Sequence, residues 1–282
     1  MLTPRVAAIH DLSGFGRCSL TVALPILAAM GLQCCPLPTA YLSTHTGGFE
    51  GFTFLDMTDE MPRAASHWKS LNLDFQAVYS GFLGSEQQIS IVSDFIRDFR
   101  RPDTLVVIDP VMGDQGAVYR TYTSAMCAGM ARLAEQADVI TPNLTEAALL
   151  LGRSYEDMPT GEAGLREIVT ALSRNGTRSV VLTGASIAPD LTGARVFDAK
   201  TGTTEALQIQ RVPREFLGTG DVFASVLTGA LVKGKTLRDA AQLAVEFVHA
   251  CSARTAAQNL PLREGVDFEP LLHLLMEQPS CT

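Results

Sequence analysis

Short apolar segments rich in β-branched residues alternate along this chain with longer segments in which apolar positions recur every three or four residues. That alternation predicts an α/β protein, with a mostly parallel central sheet covered by helices on both faces. Strands are expected over residues 5–10, 33–42, 77–81, 104–109, 138–141 and 178–183, each ending near polar or glycine-bearing residues. Helices are expected over 85–99, 123–136, 145–151, 162–174, 221–232 and 237–257. The first of these opens with Ser85 and Gln88 at capping-box spacing and aligns Ile89, Val92, Phe95 and Ile96 on one face, which should meet the sheet. Residues 195–210 alternate instead with period two around Thr201-Gly202, the pattern of a β-hairpin at an antiparallel edge.

Composition narrows the class. With 282 residues, 46% hydrophobic and 18% charged, and no repeat, linker or low-complexity stretch, a single domain over 1–282 is expected. The 30 acidic and 22 basic side chains leave a charge of −8, the wrong sign for a broad nucleic-acid surface. No apolar run reaches the roughly 18–20 residues of a membrane-spanning helix, and the run 20–32 contains Pro25. The first residues lack the layout of a signal peptide, so the expected location is cytoplasmic. The six cysteines, Cys18, Cys34, Cys35, Cys127, Cys251 and Cys281, form no C-x-x-C pair and have no histidine at zinc-ligand spacing. They are expected to be reduced thiols, with Cys18 alone in a loop of candidate chemistry.

That chemistry gathers where strands end. Gly218-Thr219-Gly220 runs into Asp221 and a long apolar helix. Such a turn collects unpaired amides at a helix N-terminus, where the dipole favours an anion such as phosphate. Asp221 is equally open to reading as the ordinary N-cap of that helix. Asp109 and Asp114 bracket Pro110-Val111-Met112-Gly113. Carboxylates so placed suit magnesium, which takes one or two of them plus substrate phosphates, although Asp-Pro and Gly-Asp are also plain turn chemistry. Asn143 and Glu146, three apart, admit a polar-site reading and a helix-capping one. The segment from Asp11 to Ser19 joins the first strand to its helix and can hold a small ligand. It is neither a Walker loop nor a complete G-x-G-x-x-G, which argues against P-loop and Rossmann nucleotide sites. Ser43-Thr44-His45-Thr46-Gly47-Gly48-Phe49 carries more polar side chains than a turn requires.

Together these segments resemble the ribokinase superfamily, and within it the vitamin kinases that act on pyridoxal or hydroxymethylpyrimidine, over nearly the whole chain. Gly218-Thr219-Gly220-Asp221 is similar to the superfamily's anion-hole and base signature, and Asn143 with Glu146 to its N-x-x-E magnesium signature. Ser43 to Gly47, Ser80-Gly81-Phe82-Leu83-Gly84 and Asp109 to Asp114 look like the S-N-H-T-G, S-G-Y-x-G and D-P-V-x-G-D segments of pyridoxal kinases. Two departures are visible: Phe82 stands where those kinases often carry tyrosine, and Asp11 to Gly16 looks more like the D-x-S-G-G-x-G loop of hydroxymethylpyrimidine kinases.

The resemblance implies a ribokinase-like fold and ATP-dependent phosphorylation of the 5′-hydroxymethyl group of a B6 vitamer (pyridoxal, pyridoxine or pyridoxamine). Its alternatives are the hydroxymethylpyrimidine (phosphate) kinase reaction of thiamine synthesis and a catalytically silent vitamin-binding protein. It implies Asp221 as proton acceptor, with Gly218, Thr219 and Gly220 around the moving charge. Asp109, Asn143 and Glu146 would position magnesium, partly through water. Asp114, Thr183 and Gly184, with Gly218 and Thr219, would lie along ATP, and Asp11, Ser13, His45, Thr46 and Phe82 around the vitamin ring. A monovalent cation such as potassium near Asp109 and Thr141, and a homodimer, are further implications.

Overall fold

The computed structural model describes residues 2–214, 216–258 and 260–276, so Cys281 lies outside the described residues. In chain order the strands are β1 (Arg5–Ser13), β2 (Gln33–Leu42), β3 (Phe54–Asp56), β4 (Ala77–Ser80), β5 (Leu105–Ile108), β6 (Gly113–Asp114), β7 (Ala117–Val118), β8 (Val139–Ile140), β9 (Ser179–Thr183), β10 (Leu191–Asp198) and β11 (Thr203–Gln210). Among the described residues nine of them form one sheet in the order β11-β10-β9-β8-β5-β4-β1-β2-β3, while β6 and β7 make a small hairpin apart. All pairs from β9 across to β2 are parallel. The hairpin β10–β11 closes one edge antiparallel, as its sequence pattern predicts, although it starts at Leu191 rather than 195. At the other edge β3 also pairs antiparallel, with β2.

The helices are α1 (Leu20–Ala29), α2 (Glu60–Ser70), α3 (Glu86–Phe99), α4 (Ser124–Ala134), α5 (Leu144–Leu151), α6 (Gly161–Leu172), α7 (Thr219–Val232) and α8 (Leu237–Gln258). They cover both faces of the sheet. On one side α2 to α6 pack on Ile9, Val78, Val106, Ile108 and Val180; on the other α1, α7 and α8 pack on Val6, Tyr79, Val107 and Val181. Helix α3 shows how the pattern becomes energy. Ser85 caps it by accepting the Gln88 amide, and Ile89, Val92, Phe95, Ile96 and Phe99 are all buried. Each such side chain stabilises by about 1.5–3 kcal/mol, and Phe95 stacks on Phe99 with centroids 4.4 Å apart. No helix among the described residues is long and apolar enough to cross a membrane.

Three differences from the sequence reading bear on the site. Strand β1 continues through Ser13, so Asp11 belongs to the strand and not to the loop after it. Its pairing with β2 shifts register between His10 and Leu12, an irregularity of the kind that re-aims a side chain. Helix α7 begins at Thr219, with Gly218 as its N-cap at φ 76°, so Asp221 is the third helical residue and is not the cap. Elements β3 and α2 give no clear signal: β3 has three exposed residues, and α2 carries Pro62 in its first turn, where the missing N–H costs nothing.

Candidate active site

The candidate residues lie at the carboxyl ends of the parallel strands. From β1 the chain steps outward to β2 and then back to β4 on the other flank of β1. The sheet therefore reverses direction between β1 and β4, the place where open α/β sheets bind ligands. Asp11 and Ser13 end one of these strands, and Gly81 and Phe82 follow the other.

Asp11 is buried, and both its oxygens are engaged: Ser19 Oγ donates to Oδ1 at 2.5 Å and Ser13 Oγ to Oδ2 at 2.9 Å. Burial raises its pKa against these donors. Asp221 faces the same space from α7. Its pKa is pushed up to about 7 by burial, opposed by the backbone amide of Ser19 and reinforced by Asp109 and Asp11. A Cβ on Gly220 would meet nothing within 4 Å, so the backbone of the first turn of α7 is open there. Cys18, beside them, has a thiol raised by burial and by the charges of Asp221 and Asp11, which keeps it protonated and unreactive.

A second cluster joins the ends of β5 and β8. Thr141 Oγ1 donates to Asp109 Oδ1 at 2.9 Å. Asn143 and Glu146 form a full capping box on α5: the Glu146 amide donates to Asn143 Oδ1 and the Asn143 amide to Glu146 Oε2, both at 2.9 Å. The capping reading therefore holds. Glu146 reaches further, its Oε1 accepting the Met112 amide at 3.2 Å, and Asn143 Nδ2 donates to the Gly113 carbonyl at 2.8 Å. Burial raises the pKa of Asp109, and burial followed by the charge of Asp109 raises that of Glu146, with Asp114 adding to it. Charges of one sign so gathered fit a cation bound jointly with phosphate oxygens. Among the described residues no three His, Cys, Asp or Glu come together as a metal cage.

Other residues find varied places. Asp114 is exposed and accepts the Gln115 amide at 2.9 Å. Thr183 and Gly184 line a small cleft with Leu144, Gly161, Leu165 and Ser186, and Gly184 adopts φ 64°. Thr46 is exposed and Phe82 half-buried, its ring 6.1 Å from Tyr122. His45 is tied on both sides: Gly47 N–H donates to Nδ1 at 3.0 Å, and Nε2 lies 2.6 Å from the Arg263 carbonyl. That pairing assigns the proton to Nε2 and makes the imidazole an anchor between its loop and a segment 218 residues away.

Several residues of the site escaped the sequence reading. Tyr119 follows β7, is partly exposed, and has its pKa raised by desolvation and by the charges of Glu146, Asp114, Asp221 and Asp109. His10 is fully buried with no hydrogen-bond partner for either nitrogen among the described residues, its pKa lowered to about 3 by burial, and its ring set edge-on to Tyr79 at 4.3 Å. A Cβ on Gly81 would come within 2.2 Å of its Nδ1, which explains that glycine. Ser19 takes φ 51° and ψ −130°, a conformation costing a non-glycine residue on the order of 1–3 kcal/mol. A positive-φ serine leaves no mark in a sequence.

The mostly parallel sheet with helices on both faces and an antiparallel edge hairpin is the fold of the ribokinase-like class of small-molecule kinases. The phosphomethylpyrimidine kinase family matches residues 24–265, and the chain belongs to that family. It is similar to a Bacteroides thetaiotaomicron protein provisionally named phosphomethylpyrimidine kinase and crystallised with pyridoxal, with 43% identity, TM-score 0.92, and 97% and 96% of the two chains covered. The pyridoxal kinase of Lactobacillus plantarum is 33% identical with TM-score 0.89, covering 98% and 97%. A hydroxymethylpyrimidine/phosphomethylpyrimidine kinase of Haemophilus influenzae is 32% identical over 197 residues, 68% of each chain. The chain is thus a kinase of a vitamin-like substrate.

Proposed function

We propose that this chain transfers the γ-phosphoryl group of ATP to the 5′-hydroxymethyl of pyridoxal, pyridoxine or pyridoxamine. The observation that carries the reading is the setting of Asp221, one residue past the open backbone of Gly220 and raised to about 7. A carboxylate near pKa 3.9 is a poor base toward an alcohol; raised toward neutrality it accepts the proton as the new bond forms. Amides of Gly218, Thr219 and Gly220 would meet the charge on the moving group, each such donor contributing about 3 kcal/mol at the transition state. Asp114, Thr183 and Gly184 would lie along ATP.

Asp109 and Glu146 would hold magnesium, partly through water, while Asn143 positions Glu146 through the capping box. Magnesium, when bound, neutralises phosphate charge and orients the terminal phosphoryl group. A monovalent cation such as potassium would sit beside Asp109 and Thr141. Asp11, Ser13, Thr46 and Phe82 would surround the ring, with His45 shaping that wall by anchoring its loop.

The B6 assignment is supported by the neighbour crystallised with pyridoxal, at 43% identity. A second reading, phosphorylation of hydroxymethylpyrimidine or its phosphate, is favoured by the family match and the Haemophilus relative. ADP release measured with pyridoxal and with hydroxymethylpyrimidine in parallel decides between them. The expected kcat/KM ratio is at least about tenfold in favour of the B6 vitamer, roughly 1.4 kcal/mol. A reversed preference establishes the second reading, and binding without turnover of either compound makes the chain a vitamin-binding protein.

A further inference from the structure

Ser19 stands immediately before α1 and fails as an ordinary helix cap in two ways. A cap residue has extended backbone and turns its side-chain oxygen onto an amide two or three residues on. Ser19 has φ 51° and ψ −130°, and its hydroxyl makes no capping bond. That hydroxyl donates instead to Asp11 Oδ1 at 2.5 Å. Its backbone amide also lies close enough to Asp221 to favour the charged carboxylate there. Glycine would take this backbone conformation without strain, yet would lack the hydroxyl. A strained serine that forgoes its cap points to a requirement for that hydroxyl.

The surroundings hold Ser19 in this posture. The neighbouring Arg17 is bound from behind by Asp267 at 3.1 Å and Glu269 at 2.8 Å, and its amide donates to the Glu264 carbonyl at 3.1 Å. Its own carbonyl lies against Gly218 at the start of α7. The segment from Arg17 to Ser19 is thereby clamped between the C-terminal segment and the helix that carries Asp221.

We propose that Ser19 is a positioning residue that fixes the carboxylate of Asp11 relative to α7 and its Asp221, through its hydroxyl on Asp11 and the packing of its segment on Gly218, so that seating of the alcohol substrate and acceptance of its proton are held as one unit. The proposal rests on the reading of Asp221 as proton acceptor. It predicts that a substrate fitting Asp11 is delivered with its alcohol at Asp221, and that loosening Ser19 damages use of the alcohol substrate and spares ATP.

The test compares Ser19→Gly and Ser19→Ala with wild type by steady-state kinetics and thermal unfolding. Ser19→Gly relieves the backbone but gives up the bond to Asp11, two effects of opposite sign and similar size, so its Tm should stay near that of wild type, while KM for the alcohol substrate rises about tenfold and KM for ATP stays within about twofold. Ser19→Ala keeps the strain and loses the same bond, so it should show the same KM split with a Tm below that of Ser19→Gly. A folded Ser19→Gly enzyme with unchanged KM for the alcohol overturns the proposal, as does an equal rise for both substrates. Wild type that turns over neither pyridoxal nor hydroxymethylpyrimidine defeats the kinase reading instead. Carboxyl-carbon NMR titration then judges Ser19 alone: loss of the hydroxyl should raise the pKa of Asp11, and an unchanged titration overturns the contact.

Discussion

The main-chain carbonyl of Arg17 lies against the Cα of Gly218, so close that a methyl group there would approach the oxygen to 2.0 Å. Two parts of the chain some 200 residues apart meet at this point, and the glycine also holds φ 76°. Gly220, two residues on, meets nothing. Gly218→Ala should therefore lose at least about 2 kcal/mol of stability, from left-handed strain plus overlap. Gly220→Ala should fold as wild type, with a gain of up to about 1 kcal/mol from helix propensity, yet lose about tenfold or more in kcat because its methyl fills the space over the amides. Thermal unfolding beside turnover checks the pair; a fully active Gly220→Ala would remove the phosphate role from this turn.

Asp221→Asn should lower kcat by roughly 100-fold or more with little change in KM for ATP. In wild type kcat/KM should rise with pH through about 7, as Asp221 loses its proton. The folded pKa lies above the ordinary 3.8, so the folded chain holds this proton more tightly than the unfolded one. The resulting stability is present below about pH 4 and is lost as pH rises through 7. Asp221→Asn cannot ionise and should melt a few degrees above wild type at pH 8, converging on it near pH 4. Identical melting curves at both pH values would contradict the raised pKa.

Glu146 serves two masters, the start of α5 and the carboxylate cluster. Glu146→Ala leaves the amides of Asn143 and Met112 without their acceptor, a cost of about 1–3 kcal/mol that removal of charge repulsion partly offsets. Activity should depend on magnesium, and the concentration for half-maximal rate should rise several-fold in this variant. A destabilised enzyme with an unchanged magnesium titration would leave Glu146 with the capping role alone.

His45→Ala should detach the loop 43–49 from the segment around Arg263, since both ring nitrogens are used in that link. The expected outcome is a loss of about 1–3 kcal/mol in stability and a larger rise in KM for the alcohol substrate than for ATP. A variant with a lower melting temperature and both KM values intact would make the anchor purely structural.

The parallel sheet, its covering helices and the hairpin β10–β11 were legible because period-two and period-3.6 patterns are local and are enforced by burial on one face. The candidate loops were legible for the same reason: Asp109, Asn143 and Gly218 to Asp221 sit where apolar strands or helices begin and end. Strand β3 was not, since Phe54, Leu55 and Asp56 are all exposed and it exists only by pairing with β2. The sequence alone left Asp221 open between helix cap and functional carboxylate; the tertiary structure made Gly218 the cap. Only the fold brought the Ser19 hydroxyl onto Asp11, tied His45 to Arg263, and gathered carboxylates whose shared burial raises their pKa values. Those properties depend on distances between residues far apart in the chain and on the water excluded when they meet, and neither is encoded in any window of neighbouring residues.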